Sequence, residues 1–189
     1  MVNACGGPGG GSSATARAWA AGPARWLLLP SEERALHEVR GDAEARRFVE
    51  EFWRRRDPEP GDAANPARQL FEQRVAAADR QYAEEGVRGS LTDRGRALVL
   101  LGPPPLLRTG RRAAPAWRPA RRTGSPMPVR WMATETWEYP RDALPPALSA
   151  LVGDEPELRL TFLVGARTRL IEGEHYLTLA AQSLVRLDP

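Results

Sequence analysis

Apolar positions in this chain keep a helical period through its first half and change rhythm after residue 89. Leu36 and Val39 mark the inner side of a helix predicted over about 32–40, with Ser31 as its expected N-cap and Gly41 as its stop. Asp42 is expected to cap a second helix. In it Phe48, Val49, Phe52 and Trp53 recur at i, i+1, i+4 and i+5, which makes one strong apolar stripe. Asp57-Pro58 stops it, because the residue before a proline avoids helical geometry. Asn65-Pro66 opens a third helix running to about Glu85, with Asn as cap and Pro in the first helical position. Leu70, Phe71, Val75, Ala78 and Tyr82 line one face of it, and Gly86 reads as its C-terminal stop.

After the polar turn at 89–95 the pattern reads as strands. Ala97 to Leu101 is a continuous apolar run bounded by Gly102-Pro103-Pro104, as expected of a strand covered on both faces. Thr134 to Tyr139 and Glu157 to Val164 follow. In the latter Leu158, Leu160, Phe162 and Val164 share one face, with Arg159 and Thr161 on the other. Residues 140–156, rich in proline, read as a loop or short helical turn, and the tail as a strand near 175–179 followed by a short helix. Helices first and strands afterwards predict an α+β fold, about three N-terminal helices packed on a small antiparallel sheet of three to four strands. Residues 1–24 read as a flexible Gly/Ala/Ser-rich tether and 25–189 as a single domain with an Arg/Pro-rich insertion at 105–133.

Composition sharpens one part of this picture. All 27 basic residues are arginine, and the net charge is +3. From Arg94 to Thr134 there is no acid, while nine arginines fall there, among them Arg108, Arg111, Arg112, Arg118, Arg121 and Arg122. Removing those nine charges leaves the rest of the chain at −6, so this is an acidic domain carrying one basic segment. Such a segment can meet the phosphates of anionic lipid head groups or nucleic acid. Trp117 and Trp131 interleave with it, but no nucleic-acid motif accompanies them. No apolar run is long enough to span a bilayer.

The chemistry-bearing residues are few. His37 and His175 belong to no metal-ligand spacing, no phosphate-cradling glycine loop precedes a strand–helix unit, and nothing singles out a carboxylate pair. The sequence therefore points to no catalytic residue, no metal and no cofactor. Val2-Asn3-Ala4-Cys5, followed by Gly and Ser, is similar to a bacterial lipoprotein processing site without its apolar leader, which makes Cys5 a lipidation candidate.

Several separated motifs fall in a familiar order. Phe52, Trp53, Arg56, Asp57 and Pro58 close a helix, and Asn65-Pro66 follows. Gly89-Ser90-Leu91-Thr92-Asp93 leads through Arg94, Gly95 and Arg96 to Gly102-Pro103-Pro104, and Trp137 and Tyr139 come later. This series, over roughly 26–164, resembles the GWxTD domain, a bacterial family of unestablished activity, with Ser90 standing where the family has tryptophan. Together with the Cys5 site and its Gly/Ser tether, this leads to the expectation of a non-enzymatic, lipid-anchored cell-envelope protein that docks on a protein partner, with the motif residues forming a structural clamp rather than a reaction centre. Asp57 and Arg96 are the expected ion pair of that clamp, and Gly95 is expected to supply positive φ in the turn. A cytoplasmic nucleic-acid-associated protein and a hydrolase built on Asp57, Thr92, Asp93 and Arg96 are the alternatives.

Overall fold

The structure, a computed structural model, describes residues 12–59, 64–113 and 130–184. It is α+β, with helices gathered on one face of a four-stranded antiparallel sheet of order β1-β2-β3-β4. Cys5, Trp117, Arg118, Arg121 and Arg122 lie outside the described residues.

Within the stretch read as a tether, residues 12–21 form a helix: α1 spans Ser12–Ala21, with Ala16 and Ala20 buried against its neighbours. Alanine-rich sequence looks like linker by composition, but alanine is also the strongest helix former, and here a packing face is supplied from outside. A single 3₁₀ turn, Pro23–Trp26, leads to α2 (Pro30–Glu38), whose N-cap is Leu29 with Pro30 in the first helical position, not Ser31. The third helix, α3 (Asp42–Arg54), takes Gly41 as its cap rather than Asp42. Its stripe buries as the spacing predicts: Phe52 and Trp53 are core, and Phe48 and Val49 pack at its margin. Rings then hand contact along the helical layer, Trp19 to Phe52 at 4.9 Å, Phe52 to Trp53 at 5.1 Å and Trp53 to Phe71 at 5.2 Å.

Helix α4 (Pro66–Gln81) starts as read. The Asn65 side chain accepts from the Arg68 N–H, and its amide donates to the Trp53 carbonyl, so one residue caps α4 and ties it to the end of α3. Its Ala78 is fully buried, whereas Leu70 is exposed.

The largest departure comes next. Residues 97–101 are not a strand but the end of helix α5 (Asp93–Leu101). Ala97, Leu98, Val99 and Leu100 are all buried, so this short helix has no solvent side that would leave a helical period in the sequence. A buried helix and a buried strand write the same short apolar run. Gly102, at φ +85, ends it.

Strands β1 (Leu106–Ala113) and β2 (Trp131–Pro140) form an antiparallel pair with Leu106 opposite Glu138 and Ala113 opposite Trp131. The start of the expected Arg/Pro-rich insertion is therefore regular sheet. Helix α6 (Pro146–Val152) follows a 3₁₀ turn, then β3 (Glu157–Leu163) and β4 (Arg169–Glu172). Leu158, Leu160 and Phe162 are fully buried, as their alternation predicts. Residues 174–183 are helix α7 (Glu174–Ser183) in place of the expected strand, and Tyr176, Leu177, Ala180 and Ala181 bury at helical spacing. The inner sheet face carries Trp137, which packs at a tilt between Tyr82 at 5.5 Å and Phe162 at 5.1 Å. Each fully buried aromatic of this kind contributes about 1.5–3 kcal/mol.

Candidate functional site

The motif residues from Gly89 to Gly102, with Trp137 and Tyr139, gather around α4, α5 and the sheet, while the helix-end residues Phe52 to Asp57 lie at the end of α3. Gly89–Leu91 is one 3₁₀ turn, and Thr92 is the N-cap of α5: its hydroxyl accepts from the Gly95 N–H at 3.1 Å and donates to the Gly89 carbonyl at 2.7 Å. Neither Gly89 nor Gly95 has positive φ; the glycines are required for contact instead. A Cβ on Gly89 would stand 1.9 Å from the Ala78 carbonyl oxygen, and one on Gly95 would stand 1.8 Å from the Gly89 oxygen. Helix α4, the turn and α5 thus touch backbone to backbone.

Ser90 is wholly buried. Its N–H donates to Asp79 at 2.8 Å and its carbonyl accepts from the Trp26 indole at 2.8 Å, while its hydroxyl is buried with no hydrogen-bond partner. Asp93 accepts from the Leu170 N–H at 2.7 Å, which fixes β4 to the start of α5. Arg94 lies between Glu84 at 3.8 Å and Glu135 at 3.6 Å, with its guanidinium 5.0 Å from the centre of the Tyr82 ring. Glu84 in turn accepts from the Thr168 N–H at 3.0 Å, and Glu135 from the Trp137 indole at 2.5 Å. Burial, then the nearby Glu135 charge, pushes the Tyr82 phenol above its ordinary range.

At the other end of α5, the Tyr139 hydroxyl donates to the Gly102 carbonyl at 2.9 Å, and Arg74 donates to the carbonyls of Val99 and Leu100. These bonds satisfy carbonyls that a helix end leaves open. Burial drives the Tyr139 phenol strongly upward. Pro103, next in the motif, is exposed.

The expected clamp between Asp57 and Arg96 is not formed. Asp57 accepts from the Glu59 N–H at 3.0 Å, and Arg96 pairs with Glu174 at 2.6 Å while lying 5.1 Å from the Trp26 ring centre. The buried clamp belongs to the neighbouring residue. Arg56 makes two hydrogen bonds of 2.8 Å to Glu32, donates also to the carbonyls of Phe52 and Leu27, and lies over the Phe52 ring. Glu32 accepts further from Arg55 and from the Leu29 N–H. Burial alone would raise the Glu32 carboxyl, but the Arg56 and Leu29 hydrogen bonds and the Arg56 and Arg55 charges outweigh it and hold it below the ordinary value of 4.5. Glu32 carries no sequence signal beyond its place in the first turn of α2.

The sheet's other face is polar. Thr134, Thr136 and Thr161 floor an open trough of about 380 Å³. Arg108 and Arg159 flank buried Glu138 at one end, and Arg112 pairs with Glu172 at the other. Gly110 keeps the trough open beside Thr134, whose hydroxyl would sit 3.1 Å from an added Cβ. Of the described basic residues, Arg108 and Arg112 share this face, and Arg111 alternates to the opposite one. Leu106 and Leu107 are exposed at the start of β1.

A separate concavity of about 530 Å³, walled by Ala16, Trp19, Ala45 and Val49, involves none of the motif residues. Among the described residues no helix is long and apolar enough to cross a membrane. No family model matches this chain, and neither a curated protein nor a solved structure matches it.

Proposed function

We propose that this chain is a non-catalytic, partner-binding domain of the GWxTD kind, held at the bacterial cell envelope through an acylated Cys5. The observation that carries the reading is where the motif side chains spend their polar groups. Thr92 caps α5, Asp93 holds the Leu170 N–H, Tyr139 holds the Gly102 carbonyl and Arg56 holds Glu32. Each of these groups is engaged within the fold itself, as in a scaffold. The outward surface is then the threonine–arginine trough and the outer edge of β1, which pairs with no strand among the described residues. An edge strand with open backbone groups accepts an extended segment of a partner, and alternate side chains on its face select which one.

Site-specific photocrosslinking in cells tests the reading. A crosslinker at Arg108 or Thr136 should trap a discrete envelope protein that a crosslinker at exposed Arg80 of α4 does not. Equal trapping from both faces, or none from the sheet, overturns it. Acyl labelling of the wild type and its loss in Cys5→Ala tests the anchor separately.

A further inference from the structure

The β1–β2 hairpin is longer than the sheet around it. β3 pairs with β2 as far as Thr134, opposite Leu163, and the Val164 N–H just after it donates to the Ala133 carbonyl at 2.9 Å, whereas β1 follows β2 out to Trp131, opposite Ala113. The rungs joining Arg112 and Ala113 to Met132 and Trp131 are therefore a two-stranded arm. Burial falls off in the same direction, from buried Trp137 through half-buried Thr134 to exposed Ala133 and Trp131. Trp131 ends the series at 60% exposure, whereas the other large aromatics among the described residues are largely drawn inward.

Strand alternation sets the chemistry of each side of the arm. Trp131 and Ala133 share a face with Ala113 and Arg111. Arg111 stands opposite Ala133, so it is the diagonal neighbour of Trp131, about 7–8 Å away along the backbone lattice. Exposed Arg130 immediately precedes the strand. Arg108 and Arg112 are each held by a carboxylate, but neither Arg111 nor Arg130 has an acidic partner among the described residues. No acid occurs anywhere from Arg94 to Thr134 in sequence, so nothing within the segment neutralises them.

One bare indole, flanked by small apolar side chains and two unpaired guanidinium groups, fits a charged interface with an apolar layer beneath. Indoles settle at that boundary because the ring is apolar and its N–H still needs a partner. Arginine stems can lie along the apolar layer while their heads reach phosphate. We propose that the described outer end of the β1–β2 pair is a membrane-contact site for anionic phospholipid head groups, with Trp131 at the interface and Arg111 and Arg130 on the phosphates. The proposal deepens the envelope reading and leans on it only for the presence of a membrane nearby. Nucleic acid offers the same phosphates, but single strands are held by grooves with successive stacking platforms, and among the described residues this end of the arm presents one indole beside alanines.

Purified, unacylated full-length chain would be sedimented with vesicles of phosphatidylcholine alone or mixed with phosphatidylglycerol. Binding is expected only to the mixed vesicles and should weaken with salt. Arg111→Ala with Arg130→Ala should cut partitioning on the order of 30-fold, taking about 1 kcal/mol for each arginine near an anionic surface. Trp131→Ala should cut it at least severalfold and remove the blue shift of tryptophan emission on vesicle addition. The double Arg→Lys variant should retain most binding. All three sites are exposed, so thermal melts should coincide with wild type and exclude unfolding as the cause. No binding to mixed vesicles, unchanged binding by the substituted arm, or binding of a single-stranded oligonucleotide in place of vesicles overturns the site. Failure here with sheet-face crosslinking intact would leave the partner reading standing, and the reverse outcome would leave the arm.

Discussion

Arg56 holds Glu32 through two parallel hydrogen bonds of 2.8 Å, at 3% and 1% residue exposure. The pair joins the end of α3 to the start of α2, and Arg56 reaches the Leu27 carbonyl in the same grip. A buried ion pair need not stabilise relative to apolar side chains of equal size, because both charges lose their hydration. Removing one partner is a different matter.

Arg56→Ala should therefore cost about 3–5 kcal/mol, since Glu32 would lose its buried partner and keep only the half-buried Arg55. Arg56→Lys should recover only part of it, because an ammonium cannot make the paired contacts. Replacing both residues together, with Met at 56 and Leu at 32, should be far milder than either single loss. Urea denaturation of these proteins together with the matching singles Arg56→Met and Glu32→Leu measures this, and additive single effects in the double variant would contradict it.

The same pair sets an acid limit. Glu32 titrates below its ordinary value of 4.5 when folded, so its contribution is complete above that value and is lost as pH falls through the lower folded one. Stability measured from neutral pH downward should decline in that window. Glu32→Gln should be less stable at neutral pH, with Arg56 left short of a counter-charge, yet show a shallower decline below 4.5. A Gln variant with the wild-type slope would show that other carboxylates, such as Asp79, carry the acid response.

Gly89→Ala and Gly95→Ala should each destabilise by at least about 1–3 kcal/mol, the cost typical of forcing atoms into a packed site. The added methyl meets backbone, at 1.9 Å and 1.8 Å, which cannot rotate away. Gly41→Ala is the control, with nothing within 4 Å of its Cβ. Equal melting temperatures for all three variants would refute the close approach of α4 and α5.

Arg96→Ala should cost only about 1 kcal/mol. Its partner Glu174 is 70% exposed, and such pairs are weak; the contact with Trp26 adds a similar small amount. A loss as large as that of Arg56→Ala would restore Arg96 to the clamp.

The three tyrosines should titrate late as a group. Burial raises Tyr82, Tyr139 and Tyr176, the last to about 12 with help from its hydrogen bond to Glu155. Absorbance of phenolate during an alkaline titration should rise only above pH 10, and Tyr139→Phe should remove the slowest component while costing about 0.5–1.5 kcal/mol. A full tyrosine signal at the ordinary value of 10.0 would contradict these burials.

Local sequence decides an element when the signal is complete within a few residues. The stripe of α3, the Asn65-Pro66 start of α4, the Thr92 turn and the alternation of Leu158, Leu160 and Phe162 were all readable, because cap geometry and amphipathic period are short-range properties. Where both sides of an element are buried the period vanishes, which is why Ala97–Leu101 reads as a strand and folds as the end of a helix. Alanine composition misled at Ser12–Ala21 for a related reason: the face that holds α1 is supplied by α3. Partners are a further step removed. In sequence Asp57 and Arg96 read as the clamp, and only the arrival of Glu32, from 24 residues upstream, gave that role to Arg56. The arm behaves likewise. Its arginines and Trp131 are plain in the sequence, but which of them stand unpaired on a shared face was settled by strand register and by the point where β3 stops. Short-range propensity belonged to the sequence, whereas charge pairing, burial and exposure arose only when distant segments packed.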